Sequence, residues 1–179
     1  MSFKRLVQQL SGGKRMAALT AGTMAPAISL KDVHGKTAAL ADTLKKGPVL
    51  VAFFKVNCPT CQFTVPFLER MYEMYGGANV TFLGISQNGI EDTREFMAEF
   101  GTKFPVLIDD RGYSASNQYG LTNVPTIFWI APDGKIQVSS VGFQRNDLEK
   151  IAAEAARATG KPAQPLFRPG EVVPDYKPG

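Results

Sequence analysis

The sequence predicts an α/β fold, with a mixed, mostly parallel sheet of about five strands flanked by helices. Apolar runs of strand length alternate with helix-length segments whose apolar residues recur at helical spacing. The run Pro48–Phe54 is continuously apolar, which is typical of a strand buried on both faces of a sheet. The turn sequence Ala131–Gly134 joins two further apolar runs, which predicts an antiparallel hairpin at one edge.

The elements before and around the first buried strand follow from local signals. Two short runs, Ala27–Leu30 and Thr37–Leu40, flank an Asp- and Gly-containing turn and predict an N-terminal β-hairpin. After the run at Pro48–Phe54, a helix is expected to begin near Cys58. It should end at Gly76-Gly77, because glycine directly after the last periodic residue is a C-terminal signal.

The second half of the chain continues the alternation of strand and helix. Asn146 is expected to cap the final helix, which buries an apolar face that includes Leu148 and Ile151. In chain order the predicted elements are strand Val80–Ile85, helix Glu91–Phe100, strand Phe104–Ile108, helix Tyr113–Tyr119, strands Thr126–Ile130 and Lys135–Val141, and helix Asn146–Thr159.

The chain is long enough for one domain with two appendages. Its 179 residues are 44% hydrophobic and 20% charged, an ordinary globular balance. Residues 1–22 are predicted to be a helical or loosely ordered arm, and residues 23–159 the domain. Residues 160–179 contain five prolines and no regular element is expected there. We predict an extended tail that either wraps the surface or stays mobile.

Charge and hydropathy exclude several classes of function. The net charge of +4 comes largely from the N-terminal arm. Nucleic-acid binding usually needs a basic face interleaved with aromatic residues, and the sequence shows no such pattern. No apolar run approaches the roughly 18 residues of a membrane span. The apolar stretch after Lys14-Arg15 is short and broken by Thr and Gly, which is weak for a secretory signal. The sequence therefore predicts a cytoplasmic protein.

The two cysteines stand three positions apart, in Cys58-Pro59-Thr60-Cys61. Cys58 falls at the N-terminus of the predicted helix, where free backbone N–H groups and the helix dipole stabilise a thiolate. Pro59 suits the first helical turn, which needs no N–H from it. Cys61, one turn further along, is placed to attack a mixed disulfide formed on Cys58. This arrangement predicts a redox-active pair that works by thiol–disulfide exchange.

Two structural interpretations of the pair compete with a redox role. A zinc site needs two more ligands, and His34 is the only histidine while no other cysteine exists. A purely structural disulfide would close so short a loop that it gains little stability. Redox chemistry is favoured over both, and it needs no cofactor or metal.

The motif and its surroundings resemble the thioredoxin fold. Pro66 follows Cys61 at the offset of that family's helix proline, and Val124-Pro125-Thr126 resembles its cis-proline loop. The extra strand and helix at Phe104–Tyr119 and the N-terminal hairpin resemble the redoxin branch, the alkyl hydroperoxide reductase/thiol-specific antioxidant (AhpC/TSA) superfamily with its bacterial thioredoxin-like disulfide reductases. The resemblance implies a cis Val124–Pro125 bond and substrate binding along the backbone at Val124 and Pro125.

The chain departs from these relatives where they hold a proton acceptor. Ala52 stands where thioredoxins carry a buried aspartate, and Ser86–Gly89 replaces the region where the membrane-associated reductases carry a glutamate. Water or Lys55 is then left to accept the proton. Lys55, Pro59 and Thr60 are candidates for tuning the thiolate, although a lysine at a strand end is more often a solvated surface residue.

The main alternative is a peroxiredoxin-like thiol peroxidase. In that case Cys58 attacks the peroxide, and Cys61 is the resolving cysteine that then forms a disulfide with the oxidised Cys58. In that family a Thr or Ser and a Pro upstream of the cysteine help to hold the peroxide, but Lys55 and Val51 occupy those positions here. A redox-inactive thioredoxin-like binding module is a second alternative. If the chain catalyses thiol–disulfide exchange, as favoured, its expected partners are a disulfide-containing protein or small thiol substrate and a dithiol electron donor or acceptor.

Overall fold

The five-stranded sheet at the centre of the fold carries strands in the order β5-β4-β3-β6-β7. The computed structural model describes residues 17–179. β3 pairs in parallel with β4, and β4 with β5, whereas β6 runs antiparallel to both of its neighbours. The main elements are β1 (Ser29–Lys31), β2 (Thr37–Ala39), α1 (Leu40–Leu44), β3 (Val49–Phe54), α2 (Pro59–Tyr75), β4 (Thr81–Ser86), α3 (Ile90–Phe100), β5 (Val106–Ile108), α4 (Ser114–Gln118), β6 (Thr126–Ile130), β7 (Ile136–Val141), β8 (Phe143–Gln144), α5 (Arg145–Thr159) and β9 (Tyr176–Lys177).

The central strand β3 is buried on both faces, as its continuous apolar run predicts. Its alternate side chains divide between two cores: Leu50, Ala52 and Phe54 enter one, and Val49, Val51 and Phe53 enter the other. The first core also receives apolar side chains of α2 and α5, and the second receives those of α1 and α4. Burial from both sides fixes the carboxyl end of β3, from which the cysteine motif follows.

The predicted N-terminal hairpin is present as β1 and β2, which pair antiparallel. It lies against β5, because Asp32 and Leu107 form an isolated bridge and Val33 donates its N–H to the Val106 carbonyl at 3.3 Å. The predicted arm at 1–22 lies largely outside the described residues. Its described part, residues 17–22, is irregular and follows the sheet, with the Gly22 N–H 2.8 Å from the Ile136 carbonyl.

Two local predictions need correction, and one short helix was not predicted. The final helix begins at Arg145 rather than Asn146, and no side chain caps it, so the expected Asn146 cap is wrong. Strand β5 begins at Val106, not Phe104; Pro105 directly precedes it and lacks the N–H that a ladder requires. The short helix α1 follows β2 without a linker and was not predicted, since five residues are too few for a periodic signal.

The Pro-rich tail was expected to contain no regular element, and this expectation is wrong at one place. Tyr176 and Lys177 form β9, which pairs antiparallel with β8. Pro174 and Pro178 flank these two residues and limit the strand to that length. The tail wraps the surface, and its side chains Leu166, Phe167 and Val173 are buried in the core that also contains side chains of α2 and α5.

Candidate active site

The cysteine motif lies where β3 gives way to α2, as predicted. Cys58 is the N-cap residue of α2 with extended backbone angles, and Pro59 occupies the first helical turn. The backbone N–H of Cys61 donates to Cys58 Sγ at 3.2 Å. An N-cap side chain normally accepts from this part of the first turn, and here sulfur takes the place of the usual oxygen.

The two thiols are in different environments. Both cysteines are free in this structure; Cys58 is half-buried, whereas Cys61 is completely buried. Burial and the neighbouring Cys58 side chain raise the pKa of the Cys61 thiol well above its ordinary value. Cys61 therefore stays protonated at neutral pH, and Cys58 is the thiol that a second molecule can reach.

The Val124-Pro125 loop faces the motif, as the resemblance implies. The peptide bond between the two residues is cis. The Cys58 thiol donates to the Val124 carbonyl at 3.3 Å, which joins the loop before β6 to the start of α2. Val124 is half-buried and Pro125 is buried, so Val124 is the less buried of the two residues beside Cys58.

Two residues that sequence reasoning missed hold the loop between β3 and Cys58. Asn88 Oδ1 accepts from the Val56 N–H at 3.1 Å, and Gln62 Nε2 donates to the Val56 carbonyl at 2.8 Å. Both polar groups of Val56 are thus paired with side chains, one from the loop after β4 and one from α2. Asn88 lies in the very Ser86–Gly89 stretch that lacks the relatives' glutamate, so the position carries a neutral hydrogen-bonding residue instead.

The candidate tuning residues contact the site in different ways. Lys55 is exposed, and its Nζ lies 5.9 Å from the centre of the Tyr113 ring. Its side chain lines a cavity of about 250 Å³ beside Val124, together with Gln87 and Tyr113. Thr60 is buried, and its hydroxyl donates to the Pro178 carbonyl at 2.6 Å. Thr60 therefore connects the motif to the tail, a contact that nothing in the sequence indicates.

The comparison of the chain with protein families decides its membership. The model of the AhpC/TSA family matches residues 21–139, which is more than half of the chain. The chain belongs to the AhpC/TSA family. The predicted membership in this redoxin branch is thereby confirmed.

Individual relatives of this AhpC/TSA protein are named as thiol–disulfide oxidoreductases. It is 30% identical to the thiol-disulfide oxidoreductase ResA of Bacillus thuringiensis (strain Al Hakam), over 70% of this chain and 72% of that one. It is 31% identical to the ResA of Halalkalibacterium halodurans, over 73% and 74% of the two chains. These relatives agree with the predicted class of enzyme, an oxidoreductase of the thiol–disulfide type.

Solved structures confirm the thioredoxin fold. The thioredoxin domain of a thiol-disulfide oxidoreductase from Bacteroides vulgatus superposes with a TM-score of 0.68 at 26% identity, covering 76% of this chain and 98% of that domain. A thiol:disulfide interchange protein DsbE from Chlorobium tepidum, described as putative, gives a TM-score of 0.69 at 24% identity, covering 80% of this chain and all of that one. Along residues 17–179, no helix has the length and apolar character needed to cross a membrane.

Proposed function

We propose that this protein reduces or exchanges disulfides, with Cys58 as the nucleophile and Cys61 as the resolving thiol. The observation that carries the proposal is the difference between the two cysteines. Cys58 is half-buried at the N-terminus of α2, whereas Cys61 is buried and donates its backbone N–H to Cys58 Sγ. Cys58 can receive a substrate sulfur, whereas the Cys61 sulfur is accessible only to Cys58.

The first step joins Cys58 to the substrate. The Cys58 thiolate attacks one sulfur of the substrate disulfide; a Cys58–substrate disulfide forms, the substrate S–S bond breaks, and the other substrate sulfur leaves as a thiolate. The N–H of Cys61, in the first turn of α2, is the backbone donor that contacts this sulfur in the described structure.

The second step releases the substrate. Cys61 loses its proton and attacks Cys58 Sγ; the Cys58–Cys61 disulfide forms, the mixed disulfide breaks, and the substrate leaves with its second thiol. Two electrons have then passed from the pair to the substrate, and an external dithiol must return them. Because burial raises the pKa of Cys61, this thiol cannot compete with Cys58 for the substrate in the first step.

Substrates are proposed to bind along the Val124 backbone, on the side where Cys58 is reachable. The Cys58 thiol donates to the Val124 carbonyl in the resting site. Once Cys58 is a thiolate or a mixed disulfide it has no hydrogen to donate, so the carbonyl is free to accept from a substrate N–H. Ala52 and the Ser86–Gly89 stretch supply no carboxylate for the Cys61 proton. We propose water as its acceptor, because a lysine side chain such as that of Lys55 offers donors and no acceptor.

The peroxidase alternative is disfavoured by where the arginines lie. In the peroxiredoxin family an arginine is expected near the peroxide-attacking cysteine, and the sequence alone places neither Arg70 nor Arg94 there. Arg70 forms a two-point ion pair with Glu171, and Arg94 donates to the Val33 carbonyl. Val51 lies fully buried within β3, where it cannot belong to a peroxide-binding loop.

Parallel assays of the wild type and of Cys58→Ser test the proposal. The reduced wild type is expected to reduce insulin disulfides and to consume hydrogen peroxide slowly, and Cys58→Ser is expected to lose insulin reduction. Rapid peroxide consumption by a protein that leaves insulin untouched would contradict disulfide exchange and favour the peroxidase. A cytoplasmic location stays a prediction from the sequence; in that compartment the pair is kept reduced and acts as a donor.

A further inference from the structure

The Pro-rich tail reaches the candidate active site and contacts it from both sides. Segment 176–179, which includes β9, contacts both the cysteine motif and the loop that holds the cis proline. The Pro178 carbonyl accepts from Thr60 Oγ1 at 2.6 Å, and the Gly179 carbonyl accepts from Asn123 Nδ2 at 3.3 Å. Thr60 stands between the two cysteines, and Asn123 directly precedes Val124.

The segment lies against the edge that a substrate backbone needs. A Cβ atom placed on Gly179 would lie 2.4 Å from the Val124 carbonyl oxygen, far inside van der Waals contact. A glycine is therefore required for this close approach. A peptide that pairs with the Val124 backbone must occupy the same space, so peptide and segment exclude one another.

The contacts to the segment are of the kind that an extended polypeptide makes. β9 adds to β8 as a short antiparallel strand, and β8 begins two residues after the end of β7. The acceptors at Pro178 and Gly179 are backbone carbonyls, which any peptide in the same conformation would present. Lys177 adds one side-chain contact, with its Nζ 5.1 Å from the centre of the Phe63 ring.

The tail is more deeply buried upstream of the segment than within it. Arg70 binds Glu171 through two N···O contacts of 2.9 Å and also donates to the Leu166 carbonyl at 2.8 Å. Phe167 is buried and packs 5.1 Å from the Phe67 ring. In contrast, Tyr176 is 52% exposed and Pro178 and Gly179 are exposed. Displacing the segment would therefore expose less apolar surface than displacing the upstream tail.

We propose that the surface formed by Thr60, Asn123 and Val124 is a groove for an extended polypeptide, and that segment 176–179 is its resting occupant. A disulfide-containing protein must displace the segment to pair with Val124, whereas a small disulfide can reach Cys58 without doing so. The proposal rests on the proposed function for its substrate, but the occupancy of the groove can be tested by binding alone.

The binding test compares the intact chain with a chain that ends at Asp175. This truncation keeps Phe167, Glu171 and Val173, so the packed part of the tail is unchanged. A synthetic peptide of residues 173–179 is titrated into each ¹⁵N-labelled protein. Saturable shifts of the Thr60, Asn123 and Val124 amides are expected in the truncated chain and not in the intact one at the same peptide concentration. Absence of these shifts in the truncated chain would overturn the proposal.

The activity test separates the segment from the reaction. Competition from a bound segment lowers the apparent affinity for a protein substrate, so truncation is expected to lower the KM for insulin roughly five-fold, with kcat little changed. The rate with a small aromatic disulfide should change less than about two-fold. Gly179→Ala, whose new methyl group meets the Val124 carbonyl, should change the insulin KM in the same direction.

Val172→Ala is the matched control within the tail, because Val172 is 96% exposed. Its KM for insulin and its rate with the small disulfide should equal those of the intact chain. An unchanged insulin KM in a truncated protein that still reduces the small disulfide would overturn the competing segment and leave the proposed function intact. If neither the intact nor the truncated chain reduces insulin or the small disulfide, the proposed function and the assigned class of substrate are overturned. In that case the peptide titration still decides whether segment 176–179 occupies the groove.

Discussion

The backbone N–H of Cys61 lies 3.2 Å from Cys58 Sγ and donates to it, while the Cys61 side chain is completely buried. Cys61 thus contacts the half-buried Cys58 sulfur through its backbone and carries the second, buried thiol on its side chain. The proposed order of the two chemical steps rests on this relationship, because Cys58 is the less buried of the two thiols.

Cys61→Ser is expected to trap the first intermediate. Without the second thiol, the mixed disulfide on Cys58 cannot be resolved, so a covalent adduct with a disulfide-containing protein should accumulate. Non-reducing gel electrophoresis after incubation with insulin detects it. Cys58→Ser is the control and should give no adduct; equal adducts with both variants would contradict the assigned roles.

The two thiols should differ in their pH dependence. Burial raises the pKa of Cys61, so iodoacetamide near pH 8 should modify Cys58 in the native protein and leave Cys61 protected, as peptide mapping would detect. The sign for stability follows from the same shift. The unfolded thiol ionises near its ordinary value of 9.0 while the folded thiol does not. Stability is therefore unaffected below about pH 9 and falls as the pH rises above it.

Cys61→Ala is the control for the alkaline effect, because it removes the ionisable group and the slope that it causes. The free energy of unfolding in urea, measured between pH 7 and 10 for both proteins, gives the comparison. An identical alkaline slope in the two proteins would contradict the assignment of that slope to Cys61.

Asn88 is expected to act as a positioning residue for the loop before Cys58. Asn88→Ala removes the acceptor of the Val56 N–H, which should lower the free energy of unfolding by about 1 kcal/mol and reduce the rate of insulin reduction. Asn88→Asp keeps an acceptor at the same place and should restore most of the rate. A rate lost equally in both variants would contradict the role of this hydrogen bond.

The ion pair between Glu171 and Arg70 should make the anchoring of the tail sensitive to acid. The Arg70 side chain and the Arg168 N–H hold the pKa of Glu171 at about 2, below its ordinary value of 4.5. The pair therefore stabilises the tail fully above about pH 4.5 and loses this effect as the pH falls through about 2. Amide hydrogen exchange at residues 166–171 at neutral pH should quicken in Glu171→Gln.

Glu73→Gln is the matched control for that variant. Glu73 also pairs with a cation, Lys103, at 2.9 Å, but both side chains are more than half exposed and neither lies in the tail. An exposed pair contributes little to stability. Exchange at residues 166–171 should therefore be unchanged in Glu73→Gln, and a similar acceleration in both variants would contradict a specific anchor at Glu171.

Local signals in the sequence were sufficient for most of the sheet and for the motif. The apolar run at Val49–Phe54 and the glycines after Tyr75 fix β3 and the end of α2 through contacts within a few residues. The resemblance added the cis bond at Pro125. The role of Asn88 could not be predicted, because a neutral amide in a loop has no sequence pattern that indicates a hydrogen-bond partner.

The path of the tail could not be predicted for a different reason. Its position depends on pairs that are distant in sequence, such as Arg70 with Glu171 and Thr60 with Pro178. Composition and periodicity describe each segment by itself and contain no information on such pairs. Five prolines excluded a helix, but they did not indicate which surface the segment covers.

The redox equilibrium of the Cys58–Cys61 pair tests the central claim most directly. The protein is equilibrated with glutathione buffers of graded potential, and its free thiols are counted after acid quenching. We predict a single two-electron transition within the range of known disulfide oxidoreductases, about −270 to −120 mV, that is abolished in Cys58→Ser. A pair that stays reduced in every buffer would contradict a role in thiol–disulfide exchange.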